Sequence, residues 1–386
     1  MSAADKLLPL GVTLICLAGL GVAGQIGERP REQASTVNET SVVARQPPAM
    51  TAPNIPRVDW LTLPAPDKAL TRIGFGSCLV QGRPQPIWDA VIAARPDLFL
   101  MMGDNVYGDF ETADGAKLAE AYTRAAREDA FQRAVAAVPL LATWDDHDFG
   151  RNDGGADFAH KATAEKLFRA FWGGSGTGGG VTGPGIAYAQ MFGPPDKRVQ
   201  IIMLDTRTFR SPLKRKPKDD KAKGRYVPDD DPAKTMLGAA QWAWLEARLG
   251  EPAAVTLIVS SIQVISQAHR WERWGNLPRE RQRLFELIAR TGKTNVIFLS
   301  GDRHRAGLYR LDHTDAGLLI EATSSSLNRS FDDPSEAGPH QIGQMFGANN
   351  FGLIDIDWQG RLATVSIRDE QGRAHRALAV PLAFGE

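Results

Sequence analysis

Five short segments carry side chains able to do chemistry, and each follows directly on an apolar run. They are Ser77-Cys78, Gly103-Asp104-Asn105-Val106-Tyr107, Trp144-Asp145-Asp146-His147-Asp148 with Asn152-Asp153 just beyond, Asp205-Thr206-Arg207, and Ser300-Gly301-Asp302-Arg303-His304. Taken singly, each has an ordinary structural explanation. An Asp after a strand is a turn former or a helix cap, a tyrosine packs in a core with its hydroxyl hydrogen-bonded, and a lone Cys78 is a small buried hydrophobe. Taken together they point to metal. The carboxylates and imidazole of residues 145–148 repel one another or compete for solvent unless a cation relieves them. Carboxylates favour hard cations, whereas thiolate, phenolate and imidazole suit a transition metal, so the mixed set indicates more than one ion. Two ions about 3.5–4 Å apart serve in-line attack at phosphorus, one polarising phosphoryl oxygens and the other turning water into hydroxide. A bridging ligand needs two usable oxygens, and Asp104 is the candidate.

The apolar runs that would position these groups are Arg72–Gly76, Leu98–Met102, Val138–Thr143, Val199–Leu204, Val255–Ser260 and Asn295–Leu299. Helices are expected between them: one opened by Pro86 and stopped before Pro96, a long Ala-rich one over Ala116–Ala137, Gly238–Leu249, and Arg279–Arg290 closing on Gly292. Continuous apolar runs alternating with helices indicate sheets buried on both faces. From Leu318 the pattern changes to Leu318–Thr323, Phe351–Asp357, Leu362–Arg368 and Ala374–Val380, an expected antiparallel meander. The fold class is α/β, with two packed sheets and helices outside. Ligands of such sheets bind beyond the carboxyl ends of the strands, where the five segments fall.

The 386-residue chain has 45 Lys+Arg against 45 Asp+Glu, a zero formal charge that argues against nucleic acid as the main ligand. Residues 7–24 carry no charge and end in Val22-Ala23-Gly24, which reads either as a cleaved signal peptide or as a membrane anchor. Either way the remainder is exported, to the periplasm or the exterior, and an anchor would add lipid association. Residues 25–70 form a flexible tether and lead-in, the part to Pro56 being rich in Pro, Ser, Thr, Gln and Arg. Residues 71–386 form the catalytic domain. Only Cys78 lies beyond the export segment, since the other cysteine is Cys16, so no internal disulfide is available to the body. Gly173–Gly185 lacks the Gly-Lys-Ser/Thr ending of a phosphate loop and reads as a surface loop. The mixed-charge stretch Lys214–Lys234 is a candidate cover for a cleft.

The five segments, in this order from Thr71 to Phe351, resemble the alkaline phosphatase D (PhoD) family of the calcineurin-like metallophosphoesterase superfamily. The resemblance implies a four-layer αββα sandwich of two mixed sheets flanked by helices, and phosphate-ester hydrolysis at an iron–calcium centre. It implies that Cys78, Asp104, Tyr107 and His304 hold ferric iron, with Asp104 bridging to a calcium also held by Asp146 and Asp302. His147 would stand beside the leaving group, and Asn152 and Arg207 would bind phosphate or orient outer carboxylates. Gln263 lies where the superfamily often places a metal-site residue. The chain departs from the family in having only a tether before the catalytic part, Asp148 where Glu is usual, a loose match at Trp271–Asn276, and no Arg pair before Leu7.

The expected activity is thus that of an exported metal-dependent phosphatase in which a metal-bound hydroxide attacks a small phosphate ester in line. A phosphodiesterase or phospholipase on the same centre is the nearest alternative. A non-catalytic phosphate- or metal-binding protein would keep the ligands and lose the acid. A glycosidase would need two carboxylates flanking a bond, and would have no use for Cys78 or His304.

Overall fold

The computed structural model describes residues 55–56, 58–173, 180–331, 333 and 336–382; the export segment, nearly all of the tether and the centre of the glycine-rich loop lie outside the described residues. The first half of the body runs β1 (Arg72–Gly76), α1 (Ile87–Ala94), β2 (Leu98–Met102), α2 (Ala116–Arg127), α3 (Asp129–Ala137), β3 (Leu140–Thr143), α4 (Asp146–Phe149), α5 (Lys161–Trp172), β4 (Tyr188–Phe192) and β5 (Val199–Met203). It continues with α6 (Gly238–Leu249), β6 (Val255–Val259), α7 (Pro278–Thr291), β7 (Val296–Ser300), β8 (Ala306–His313), β9 (Gly317–Ser324), β10 (Gln341–Phe346), β11 (Phe351–Asp357), β12 (Leu362–Arg368) and β13 (Ala374–Pro381). Among the described residues, no helix is long and apolar enough to cross a membrane.

The strands form a six-stranded sheet, β13-β12-β11-β1-β2-β3, and a seven-stranded sheet, β10-β8-β9-β7-β6-β5-β4. Side chains alternate across a strand, and the alternation sorts the apolar runs into layers. In β2, Leu98, Leu100 and Met102 face the second sheet, where they meet Ile201, Met203, Leu257 and Leu299. Phe99 and Met101 face outward onto Trp88 and Val91 of α1 and Phe131 of α3. In β5, Ile202 turns the other way and packs with Trp242, Leu245 and Leu284 of α6 and α7. Both faces of each sheet are therefore covered, giving the helix–sheet–sheet–helix order.

Two expectations change. The Ala-rich stretch is two helices, because Glu128 leaves the helical path (φ −72°, ψ 116°) and its carboxylate takes the Gly82 N–H at 2.8 Å. The C-terminal run is not one meander. Leu318–Thr323 belongs to β9, which pairs in parallel with β7 in the second sheet, while β11, β12 and β13 form the antiparallel meander of the first. Tyr188–Phe192, Ala306–His313 and Gln341–Phe346 are further strands, and Lys161–Trp172 a further helix, that the apolar pattern did not single out.

Parallel pairing is what gathers the chemistry. β1, β2 and β3 run parallel in one sheet, and β5, β6 and β7 in the other. The end of β7 comes so close to the end of β1 that a Cβ on Gly301 would lie 2.4 Å from Ser77 Oγ.

Candidate metal centre and cleft

The turns after the strands are built from residues in the left-handed region. Cys78 (φ 60°), Asp104 (φ 50°), Asp302 (φ 65°) and His304 (φ 54°) all have positive φ, uncommon for residues with a side chain. Such strain persists only where the surroundings over-determine it, and here all four strained residues belong to groups of potential metal ligands. Gly103 precedes Asp104 at φ 103°, and a Cβ there would sit 2.5 Å from Asp145 Cβ. Only glycine lets the β2 turn close on the β3 turn.

Four groups of potential ligand atoms result, each with its members within 4.8 Å of one another: Cys78–Asp104–His304, Asp104–Asp146–His147, Asp145–Asp146–Asp302 and Asp146–Asp153–Glu272. The first contains a thiol and an imidazole and suits a transition metal; the third is all oxygen and suits a hard cation. Asp104 belongs to the first and second groups, the position expected of a bridging carboxylate. Its Oδ2 lies 3.6 Å from Cys78 Sγ and accepts the Tyr107 hydroxyl at 3.0 Å. His304 Nδ1 lies 2.7 Å from the Arg329 carbonyl, which leaves Nε2 as the ring nitrogen available to a metal.

The electrostatics fit cations. Burial, then Asp146, push the Asp104 carboxyl well above the ordinary range, and burial pushes Cys78 up to about 11 and Asp302 well above its usual value. Burial also lowers His304 to about 3, so its ring is neutral and free to ligate. Asp146 Oδ1 and Asp145 Oδ2 are buried without hydrogen-bond partners. Buried polar atoms are ordinarily satisfied, and a cation would satisfy these.

His147 lies at the second position of α4, with Nδ1 2.6 Å from Asp109 Oδ2 and its ring 4.3 Å from the Tyr107 ring. Burial works to lower its pKa, but Asp146, Asp104 and Asp109 together push it up to about 11. Asp109 was not singled out in the sequence; it lies five residues past Asp104, beyond the motif.

Members of these groups, Asp104, Asp146, His147, Asp302 and His304, line a cleft of about 280 Å³ together with Asn152, Arg225, Trp271, Arg303, Arg329 and Phe331 among others. Asn152 is exposed at its edge. Arg225 comes from the Lys214–Lys234 stretch and bonds Asp153 at 2.7 Å, while the neighbouring Tyr226 hydroxyl bonds the same carboxylate at 2.8 Å. That stretch therefore forms one wall of the cleft.

Three residues singled out in the sequence do not line the cleft. Arg207 does not reach the cleft: it is fully buried, its Nε donates to Asp145 at 2.7 Å and its Nη1 to Glu272 at 2.7 Å, so of its two expected roles the geometry supports orienting carboxylates. Gln263 is used up in hydrogen bonds to Tyr309, Thr323 and His269 at 2.8–2.9 Å, behind the centre rather than in it. Asp148 accepts the backbone N–H groups of Asn105, Val106 and Asp145 at 2.8–3.1 Å and clamps the β2 turn to α4.

Comparison with known proteins agrees with this geometry. Residues 195–367 match the model of the PhoD-like phosphatase family. Alkaline phosphatase D of Bacillus subtilis (strain 168) is 25% identical over 323 residues, 69% of this chain and 51% of that protein, so the chain spans about half the length of this curated relative. Among solved structures, one of PhoD superposes with a TM-score of 0.63 at 18% identity, covering 83% of this chain and 70% of that one. GAP50 of Plasmodium gives 0.54 at 12% identity over 82% of this chain and 90% of that one. Purple acid phosphatase PPD1 of yellow lupin gives 0.52 at 10% identity, covering 82% and 55%. At those identities the structural likenesses speak to the fold.

Proposed function

We propose that this chain, which matches the PhoD-like phosphatase family over residues 195–367, is an exported, metal-dependent hydrolase of phosphate esters. The observation that supports this reading is the pair of potential ligand groups sharing Asp104, one with thiol and imidazole and one with Asp146 and His147, beside a cleft lined by Asp104, Asp146, His147 and His304. Cys78, Asp104, Tyr107 and His304 would hold one ion, ferric iron in the family's pattern. Asp104, Asp146 and Asp302 would hold the other, calcium in that pattern. Such ions supply Lewis acidity, neutralising charge that develops on a phosphoryl group and acidifying water near neutral pH.

The remaining work falls to the chain's own side chains. With Nδ1 engaged by Asp109, His147 presents Nε2 to the cleft, and its proton is placed to meet the departing alcohol oxygen. Cations bound by Asp104 and Asp146 would draw its raised pKa back toward the working range of a general acid. Asn152 at the edge offers an amide to a phosphoryl oxygen. Arg207 and Ser261 hold Asp145 and so fix the oxygen-rich side of the centre. A diesterase reading draws on Trp271 and the half-exposed Phe331 at the cleft mouth, which give a second esterified group an apolar seat.

The test is hydrolysis of p-nitrophenyl phosphate and of its bis-ester by the full chain, with chelator, with metals restored, and in a Cys78→Ala variant. The expected result is turnover that chelator abolishes, metal restores and Cys78→Ala reduces at least tenfold, about the weight of one lost ligand group. Turnover indifferent to both would refute the reading.

A further inference from the structure

Of the four arginines that line the cleft, one has no carboxylate partner among the described residues. Arg225 is paired with Asp153, Arg303 with Glu336 and Asp302, and Arg305 approaches Glu336. Buried Arg207 and Arg210 share Glu272. Arg329 differs. Among the described residues its guanidinium has no carboxylate partner and no hydrogen bond, and it lies over the face of Tyr107, 4.3 Å from the ring centroid. It is half-buried and lines the cleft.

The position of this group is well defined. The Arg329 carbonyl lies 2.7 Å from His304 Nδ1, so the backbone is tied to one candidate ligand. The Phe331 N–H donates to the His304 carbonyl at 2.9 Å, and the two rings pack with centroids 4.6 Å apart. The Tyr107 ring under the guanidinium is itself fixed by its hydroxyl on Asp104 Oδ2. A guanidinium over an aromatic face is held by the ring without spending its N–H donors on hydrogen bonds. Tied to two ligand-bearing turns, lining the cleft and with no hydrogen bond on its donors among the described residues, it can offer the fork by which arginine takes two oxygens of a phosphoryl group.

We propose that Arg329 is a substrate-binding residue whose guanidinium takes non-bridging oxygens of the phosphoryl group, and that it biases the site toward phosphate monoesters over diesters. This rests on the phosphatase reading and deepens it. A monoester above neutral pH is a dianion with three non-bridging oxygens, so it can engage the ions and still present oxygens to Arg329. A diester carries one charge and two such oxygens, and has its fourth position filled by an alkyl or aryl group that must pass the same arginine.

The test uses the full, metal-loaded chain, comparing wild type with Arg329→Ala and Arg329→Lys. Inorganic phosphate affinity is read by calorimetry, kcat/KM on p-nitrophenyl phosphate and bis(p-nitrophenyl) phosphate by absorbance, and metal content and Tm on the same samples. Loss of a charge-assisted pair predicts phosphate binding weaker by roughly ten- to a hundredfold in Arg329→Ala. The monoester should fall alongside it and the diester by less, so that the ratio moves toward the diester, with Lys intermediate and metal content unchanged. Unchanged phosphate affinity, or an equal fall for both esters, would overturn the proposal. So would a fall accompanied by metal loss, since Arg329 would then act through Tyr107 or His304. If wild type hydrolyses neither ester yet binds phosphate in an Arg329-dependent way, the phosphatase reading fails and the binding role stands. If it neither hydrolyses nor binds, both fail.

Discussion

Replacing Arg207 separates an orienting role from a structural one. Its guanidinium is fully buried between Asp145 and Glu272, with Arg210 on the far side of Glu272 at 2.9 Å. Arg207→Met keeps most of the volume and removes the charge, leaving two buried carboxyls short of a cation. Burial already pushes Glu272 up to about 7 with Arg207 and Arg210 both present to lower it, and burial raises Asp145 as well. Removing one partner of a buried pair costs about 3–5 kcal/mol. Unfolding entropy of about 2.1 cal/mol/K per residue gives about 0.7 kcal/mol/K for a body the size of Met50–Glu386, so Tm should fall by about 4–7 °C. The stranded charges cause most of that loss. Glu272→Gln added to Arg207→Met should therefore restore part of the stability rather than subtract further. Calorimetry of wild type, both single variants and the double closes the cycle. A cost below about 1 kcal/mol for Arg207→Met, or additive losses in the double variant, would refute the idea that this arginine neutralises the acids behind the centre.

Asp109→Asn should leave metal content intact and lower kcat by about ten- to a hundredfold, the lower part of what a positioned acid contributes, because His147 loses the anion on Nδ1; steady-state kinetics with metal analysis would show it, and an unchanged kcat would remove Asp109 from the scheme. Gly103→Ala forces a Cβ to within 2.5 Å of Asp145 Cβ and 2.8 Å of Asp145 N at φ 103°, so activity and Tm should fall together; a fully active, equally stable variant would show that the turn yields freely. Asp369 accepts the N–H groups of Gln371 and Arg373 and bonds His375 Nε2 at 2.7 Å; burial works to raise its pKa, yet these bonds hold it at about 2. Its contribution is present above the unfolded value of about 3.9 and is lost as pH falls toward 2. The stability gap between wild type and Asp369→Asn should thus be full at pH 6 and vanish near pH 2, and a gap that persists there would contradict the assignment.

The strands before the five segments were legible because each ends abruptly: a short, largely apolar run gives way to polar residues that include Asp, Cys or His. Cys78, Asp104, Asp146, Asp302 and His304 were singled out from that pattern, and each falls in one of the groups of potential ligand atoms. Residues whose place depends on tertiary folding did not stand out. Asp109 lies past its motif, Glu272 in a loop between β6 and α7, and Arg225 and Arg329 in stretches with no periodicity at all. The break at Glu128 was hidden because alanines on both sides keep helical spacing, and the reason for it is a distant N–H, that of Gly82. Leu318–Thr323 had the composition of its neighbours in the meander, and composition says nothing of which sheet a strand joins. Of the two roles expected of Arg207, its full burial on Asp145 and Glu272 favours orienting carboxylates, and buried Gln263 is held by Tyr309, Thr323 and His269.

The sharing of Asp104 by two ligand groups is tested most directly by metal analysis of the full chain beside Asp104→Asn, each loaded with iron and calcium and then desalted. Wild type should retain more than one ion per chain, and Asp104→Asn should lose both kinds together with hydrolysis of p-nitrophenyl phosphate. A variant that keeps the wild-type metal content and rate would contradict a centre built across Asp104.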